Sequence, residues 1–417
     1  LDQLGGEMLD VNPSSAAGNN TAMPAAYTYL GQFIDHDLTL DLTSILTQLN
    51  DPAALTNFRD PAFNLDSVYG AGPGVESFLY DRNSTGQSKL IRRTGALQAP
   101  NTDILFDHQR NEQGIAIIPE ARNDENLIVA QTHVAFQRFH NKVAAGLAVS
   151  PASLFGLAAR KAVLHYQWVV INDFLPRFVD QALINALLDG STPPIYNPGD
   201  NIFMPVEFSA AAYRLGHTMV RETYNFNESF TNATLAQLFS FTKSPVPNNW
   251  AINWPRLLTL DQGAPHNFAR KFDPFIVPAL HSVPAGDGTT FDLARRNLRR
   301  GYSLGLPIGQ AVAATLGITT LTPAELTQGF AGTVFADFPI LLERTPLWYY
   351  ILQEASITMG GVKLGPVGQR IMAEVFIGIM KADPSSYLKI PGWRPSLPAA
   401  VAGTFTLKDL IAVALTE

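Results

Sequence analysis

Apolar residues recur at helical spacing in segments near 24–37, 124–148, 152–178, 205–221, 340–355, 365–381 and 405–414, while runs with strand-like alternation are few. Such periodicity favours helix-on-helix packing. In 124–148, Leu127, Val134 and Phe139 mix with polar residues at helical intervals, and Glu125 falls in the first turn, where negative charge suits the helix dipole. Long Pro-, Gly- and Asn-rich connections join the segments, notably 51–75, 181–205 and 243–268. They are unusual for a simple bundle and imply loops wrapped over a helical core. No repeat, charge block or linker divides the 417 residues. The expected architecture is mainly α, a single large helical domain over 1–417.

Composition narrows the chemistry. With 46% apolar and 16% charged residues the chain can fill a large core. A net charge of −7 and a pI near 5.6 provide no basic surface for phosphate backbones, so nucleic acid is not an expected partner. The absence of cysteine removes disulfides, thiolate metal sites and thiol nucleophiles together. No apolar run approaches the ~18 residues of a membrane span, and residues 1–30 lack the layout of a signal peptide, so a soluble protein is expected. Because the chain begins at Leu1, a preceding segment is expected to have been removed, which is compatible with secretion. The sequons Asn83-Ser84-Thr85 and Asn227-Glu228-Ser229 matter only in a glycosylating host.

Five stretches carry chemistry. In Leu30-Gly31-Gln32-Phe33-Ile34-Asp35-His36-Asp37-Leu38 a histidine stands between two carboxylates. On a helix Gln32 and His36 share a face with Asp35 at its edge, and Asp37 points elsewhere. An exposed acidic helix end is the simpler explanation, but Phe33, Ile34 and Leu38 make exposure uncomfortable. In Ala121-Arg122-Asn123-Asp124-Glu125-Asn126, Arg122 and Glu125 either pair across three residues or present a cation to a cavity. His140-Asn141, further along, reads as structural. In Arg214-Leu215-Gly216-His217-Thr218 the glycine costs helix stability and suggests the approach of something bulky, or a helix crossing. Asn297-Leu298-Arg299-Arg300 combines an amide able to fix a neighbouring ring with what otherwise looks like a solvated basic face. Asp60, Asn64 and Asp66, in the loop up to Gly70, offer alternating oxygens that suit calcium better than zinc, without the EF-hand pattern.

Taken together and in this order, these stretches resemble the peroxidase-cyclooxygenase superfamily, the animal-type haem peroxidases and their bacterial members. The likeness runs from about residue 24 to 310, with a weaker helical tail. It implies that His36 acts as general base on hydrogen peroxide, that Arg122 stabilises charge on the departing oxygen and that Gln32 holds a water or anion. It further implies haem b, ester-linked through Asp35 and Glu125, with His217 as the axial ligand of the iron, Asn297 accepting the N–H of that ring, and Arg214 and Arg300 meeting the propionates. Calcium is implied at Asp37, Asp60, the carbonyl of Ala62, Asn64 and Asp66. The chain departs from mammalian members at Asn126, where they carry a haem-linked methionine, and at Asn64, where a carboxylate is frequent. The expected partners are hydrogen peroxide and a small donor: a halide, thiocyanate or a phenol.

A fatty-acid dioxygenase of the same superfamily is the nearest competing reading. Its radical-forming tyrosine belongs three residues before the axial histidine, where this chain has Arg214, with Tyr213 one step off. A haem-free binding or adhesion module is the alternative of another class. A zinc hydrolase built on Asp35-His36-Asp37 is weaker, because no second histidine lies at close helical spacing.

Overall fold

The computed structural model describes residues 1–40, 57, 59–87, 89–90, 107–258, 266–285 and 288–416; parts of the expected loops 51–75 and 243–268 lie outside them. The architecture is mainly α. The elements that build the site and core are α1 (Ala26–Leu38), α2 (Leu127–Ala145), α3 (Pro151–Val169), α4 (Leu293–Ser303), α5 (Leu347–Met359), α6 (Pro366–Ala382) and α7 (Leu407–Leu415). Short helical turns and two-stranded pairings join them; one pairing sets β1 (Asn19–Pro24) antiparallel to β2 (Phe268–Arg270).

α2 is the centre of the packing, touching α1, α3 and α7. Phe33 of α1 stacks on Phe136 of α2 with centroids 4.4 Å apart, and Tyr166 of α3 meets Phe136 edge-on at 5.5 Å. Phe33 has no exposure, and burying such a ring contributes about 1.5–3 kcal/mol. Four buried residues of α1, Tyr29, Leu30, Phe33 and Ile34, thus fix the helix that carries the first motif. One hydrophobic cluster joins Leu4 to Ala414.

Local chemistry moves several boundaries. α2 starts at Leu127 because the Asn126 side chain accepts from the N–H groups of Ile128 and Val129, at 3.1 and 3.0 Å, an N-cap contributing about 1 kcal/mol. Glu125 therefore precedes the helix instead of occupying its first turn. α3 gives way at Val170 to a wider turn and then to a 3-10 turn containing Pro176. The segment expected as one helix over 340–355 is divided into Ile340–Glu343 and α5, with Pro346 at the junction. The helix expected over 205–221 does not form. Val206–Ser209 is a single turn, Ala211 adopts φ −129° and ψ −75°, and Ala212–His217 is 3-10.

Candidate functional site

The stretch Ala121–Asp124 forms a 3-10 turn held at its acidic residues. Glu120 accepts from Arg59 Nε at 2.9 Å and from Arg122 Nε and Nη2 at 3.0 and 2.9 Å. Asp124 is gripped by both terminal nitrogens of Arg110, at 2.7 and 2.8 Å. This clamp presses the turn against the end of α1, and Asn123 Oδ1 comes within 2.8 Å of His36 Nδ1.

A cavity of about 240 Å³ opens beside them. Gln32, Asp35, His36, Glu125, Arg214 and His217 all line it, together with Tyr213, Gly216 and an apolar wall that includes Phe174 and Phe178. Residues from the first three motifs therefore meet in one place. Gln32 Oε1 accepts from Asn126 Nδ2 at 3.0 Å, which fixes one edge of the pocket. Asp35 Oδ2 lies 3.9 Å from Arg214 Nη1, and Asp35 Oδ1 accepts from Thr39 Oγ1 at 3.0 Å. Glu125 is exposed to the cavity, yet burial by the surrounding protein raises its carboxyl above the ordinary value, against the pull of Arg122.

Both histidines are neutral at physiological pH. His36 sits in the last turn of α1, where the helix dipole favours a cation by up to about 2 kcal/mol. Burial, assisted by the Arg122 charge, nevertheless brings it down to about 4. His217 falls to about 3 through burial and the charges of Arg214 and Arg296, with Asp35 opposing. Behind His217, the Asn297 amide lies 2.8 Å from Nδ1. As placed, Nδ2 faces the ring and Nδ1 accepts; the polarity implied from sequence is the reverse, and half a turn of the amide supplies it.

Other expected residues stand elsewhere. Arg122 does not line the cavity: its Nη2 also donates to the carbonyls of His36 and Thr39, at 3.2 and 2.6 Å, and the pair with Glu125 does not form. The reason is that Glu120, two residues away, presents both oxygens to it. Arg300 is half-buried and absent from the lining. Arg296, which sequence reasoning passed over, instead acts on His217 and lies over the ring of Phe291, a cavity residue, at 4.6 Å. His140 is structural as expected, with Nδ1 3.0 Å from the Tyr69 hydroxyl.

The calcium residues are only partly gathered. Asp37 is fully buried and accepts from the Ser67 hydroxyl at 2.7 Å and from the Leu65 N–H at 3.2 Å, which holds Leu65 in a left-handed conformation at φ 60°. Burial and the neighbouring Asp66 carboxylate raise Asp37 to about 7. Asn64 is turned inward, Nδ2 to Asp60 Oδ2 at 3.2 Å and Oδ1 to the Asp66 N–H at 3.0 Å. The Ala62 N–H closes the same loop on the Asp60 carbonyl at 2.7 Å. Among the described residues no group of three or more metal-ligating side chains converges on one point.

Several features of the cavity fit a large planar cofactor with an axial ligand. A Cβ built on Gly216, beside His217, would meet nothing within 4 Å, so open space and not a helix crossing explains that glycine. The Tyr213 hydroxyl is buried in the lining with no hydrogen-bond partner. The lining combines carboxylate, amide, imidazole and guanidinium side chains with apolar walls that include Phe174, Phe178 and Phe291, a mixture suited to a largely apolar ring with charged substituents. Among the described residues no helix is long and apolar enough to cross a membrane.

The animal haem peroxidase sequence profile matches residues 46–383. α1 and the motif around His36 precede that span. The chain is 23% identical over 310 residues to chorion peroxidase of Aedes aegypti, covering 70% of this chain and 37% of that protein. It is 26% identical to thyroid peroxidase of Mus musculus over 310 residues, covering 66% and 32%. It thus spans about a third of the length of these relatives. Among solved structures, peroxidase A from Dictyostelium discoideum superposes with a TM-score of 0.64 at 16% identity, over 92% of this chain and 83% of that one. The Oryza sativa fatty acid alpha-dioxygenase gives 0.65 at 14%, over 94% and 72%. These two likenesses concern the fold. By the extent of the profile match, this chain belongs to the animal haem peroxidase family.

Proposed function

We propose that the protein, with haem held in the cavity between His36 and His217, reduces hydrogen peroxide and oxidises a small donor such as a halide, thiocyanate or a phenol. The observation that carries this reading is that two neutral imidazoles from remote parts of the chain line one cavity, and the second is backed by an amide. Haem, when bound there, supplies the electrons that break the peroxide O–O bond. His217 would hold the iron through Nε2, oriented by Asn297. His36 would take the proton from the near peroxide oxygen and return it to the far one. Gln32, anchored by Asn126, would position the peroxide or a water beside His36. Asp35 and Glu125, which line the cavity, are the carboxylates available for haem esters, and Arg214 is the cation available to a propionate. Arg122 acts at a distance, its charge adding to the burial that keeps His36 deprotonated.

A cation next to α1 is part of the same proposal. Its support is the burial of Asp37 beside the Asp66 carboxylate, which together raise the proton affinity of Asp37 and leave a place a divalent ion could take; binding at Asp60, Ala62 and Asn64 requires the loop to open its internal bonds. Added calcium should raise the unfolding temperature, and no rise would remove the ion from the scheme.

Absorption spectroscopy of the purified protein followed by a peroxide-dependent donor assay tests the main reading. An intense violet band and peroxide-dependent turnover of bromide, iodide, thiocyanate or a phenol are expected. A colourless protein that takes up no added haem would refute it. The buried, unpartnered Tyr213 hydroxyl in the lining favours a second reading, a fatty-acid dioxygenase. Oxygen uptake with linoleate in the absence of peroxide would establish that one instead.

A further inference from the structure

Behind His36 lies a column of buried polar side chains with no access to solvent. Asn123 contacts two histidines at once: Oδ1 is 2.8 Å from His36 Nδ1, and Nδ2 is 2.9 Å from His133 Nδ1. His133 in turn meets the ring of His108 edge-on, centroids 5.0 Å apart. Asn123, His133 and His108 have no exposure. His133 Nε2 and both ring nitrogens of His108 have no hydrogen-bond partner. Unpaired polar atoms in a dry interior lower stability, and two aromatic hydrocarbons would fill this volume without that penalty. The side-chain hydrogen bond these histidines make is the one at His133 Nδ1, so that contact is where a benefit should be sought.

A neutral imidazole carries one proton, and the nitrogen that keeps it decides which one can act as a base. A carbonyl oxygen can only accept, so Asn123 Oδ1 requires the proton of His36 to sit on Nδ1. The lone pair then belongs to Nε2. An asparagine amide can turn end for end and reverse this instruction, unless its NH₂ is also engaged. His133 Nδ1 provides that engagement when the proton of its own ring sits on Nε2.

We propose that Asn123 is the positioning residue that sets the tautomer of His36, and that His133, with its own proton on Nε2, locks the Asn123 amide in the orientation that does so. The proposal rests on the peroxidase reading, in which His36 Nε2 must be free to receive the peroxide proton, and adds the residues that make it free. Asn123 itself touches no reacting atom.

The test is ¹⁵N NMR of protein labelled at histidine, as purified if it contains no haem and as the diamagnetic ferrous carbon-monoxide form if it does, with His36 identified by its loss in His36→Gln. A protonated Nδ1 and an unprotonated Nε2 on His36 are expected; the opposite assignment overturns the proposal without need of any further variant. In Asn123→Leu, which keeps the volume and removes the acceptor, both tautomers should appear. Its second-order rate with peroxide should fall about 10-fold or more, a part of the roughly 10²–10⁴ that a positioned base contributes. Asn123→Asp, which restores an acceptor, should recover the single tautomer and the rate, and His133→Phe should show mixed tautomers with haem content retained. An Asn123→Leu protein with the native His36 pattern and an unaltered rate would refute the assignment. A protein without haem or peroxide chemistry would refute the parent reading alone, since the tautomer of His36 is measured in either case.

Discussion

Arg122 commits its guanidinium to Glu120: Nε reaches Oε1 at 3.0 Å and Nη2 reaches Oε2 at 2.9 Å. The pair is reinforced by Arg59 on the same carboxylate, and Glu120 is 3% exposed. The arginine expected to face the peroxide is instead the outer half of a clamp that fixes the turn carrying Asn123. Its influence on the cavity is exerted through its field.

The clamp has a pH signature. The arginines overcome the burial of Glu120 and lower its carboxyl to about 2, from an ordinary value near 4.5. Because the folded state binds the proton less tightly, the stabilisation is fully present above pH 4.5 and is lost as pH falls towards 2. That difference is worth roughly 3 kcal/mol. Glu120→Gln should therefore lower the unfolding free energy by about that amount at pH 7 and by much less near pH 2.5, measured by urea titration at both values. Equal losses at the two pH values would show that the ion pair is not the cause.

His36 should remain a competent base in mildly acidic solution. An ordinary histidine gains its proton near pH 6.5, whereas His36 does so at about 4. The second-order rate with peroxide, followed by stopped flow, is expected to hold from pH 7 to about 5 and to decline below. His36→Gln should reduce the plateau by ~10²-fold or more. A decline centred near 6.5 in the native protein would contradict the burial of this ring.

Gly216 and His217 separate space from ligation. His217→Ala should abolish the axial-ligand spectrum. Gly216→Leu adds a side chain to the open space beside that ring at a position with no positive φ, so the fold should survive while haem content drops. Haem quantification alongside circular dichroism would check this. Full haem occupancy in Gly216→Leu would place the cofactor elsewhere.

Asp35 and Glu125 both border the cavity and are the carboxylates from which esters can form. After turnover with peroxide, haem should resist extraction into acidified organic solvent in the native protein and be released from the combined Asp35→Val and Glu125→Gln variant. Retention in the variant would exclude these two attachments.

What was legible in the sequence is what depends on neighbours along the chain. The periodic runs at 24–37, 365–381 and 405–414 anticipate α1, α6 and α7 to within two residues at each end, because a helix face repeats every 3.6 residues whatever it packs against. The Asp35-His36-Asp37 and Leu215-Gly216-His217 stretches likewise identify two imidazoles that line one cavity. α4 escaped the same reading because Arg295, Arg296, Arg299 and Arg300 make the segment mostly polar and give it the look of a solvated face, although its narrow buried side carries Asn297 to His217.

Only the tertiary structure decided which partner each polar group takes. Asn123 and Glu120 are visible in the chain, but nothing local says that the first bridges His36 and His133 or that the second captures both Arg59 and Arg122. A hydrogen bond is chosen among groups that come within about 3 Å. For these residues that company is assembled by α1, α2 and the loop after α1 converging from remote parts of the chain, which periodicity does not encode.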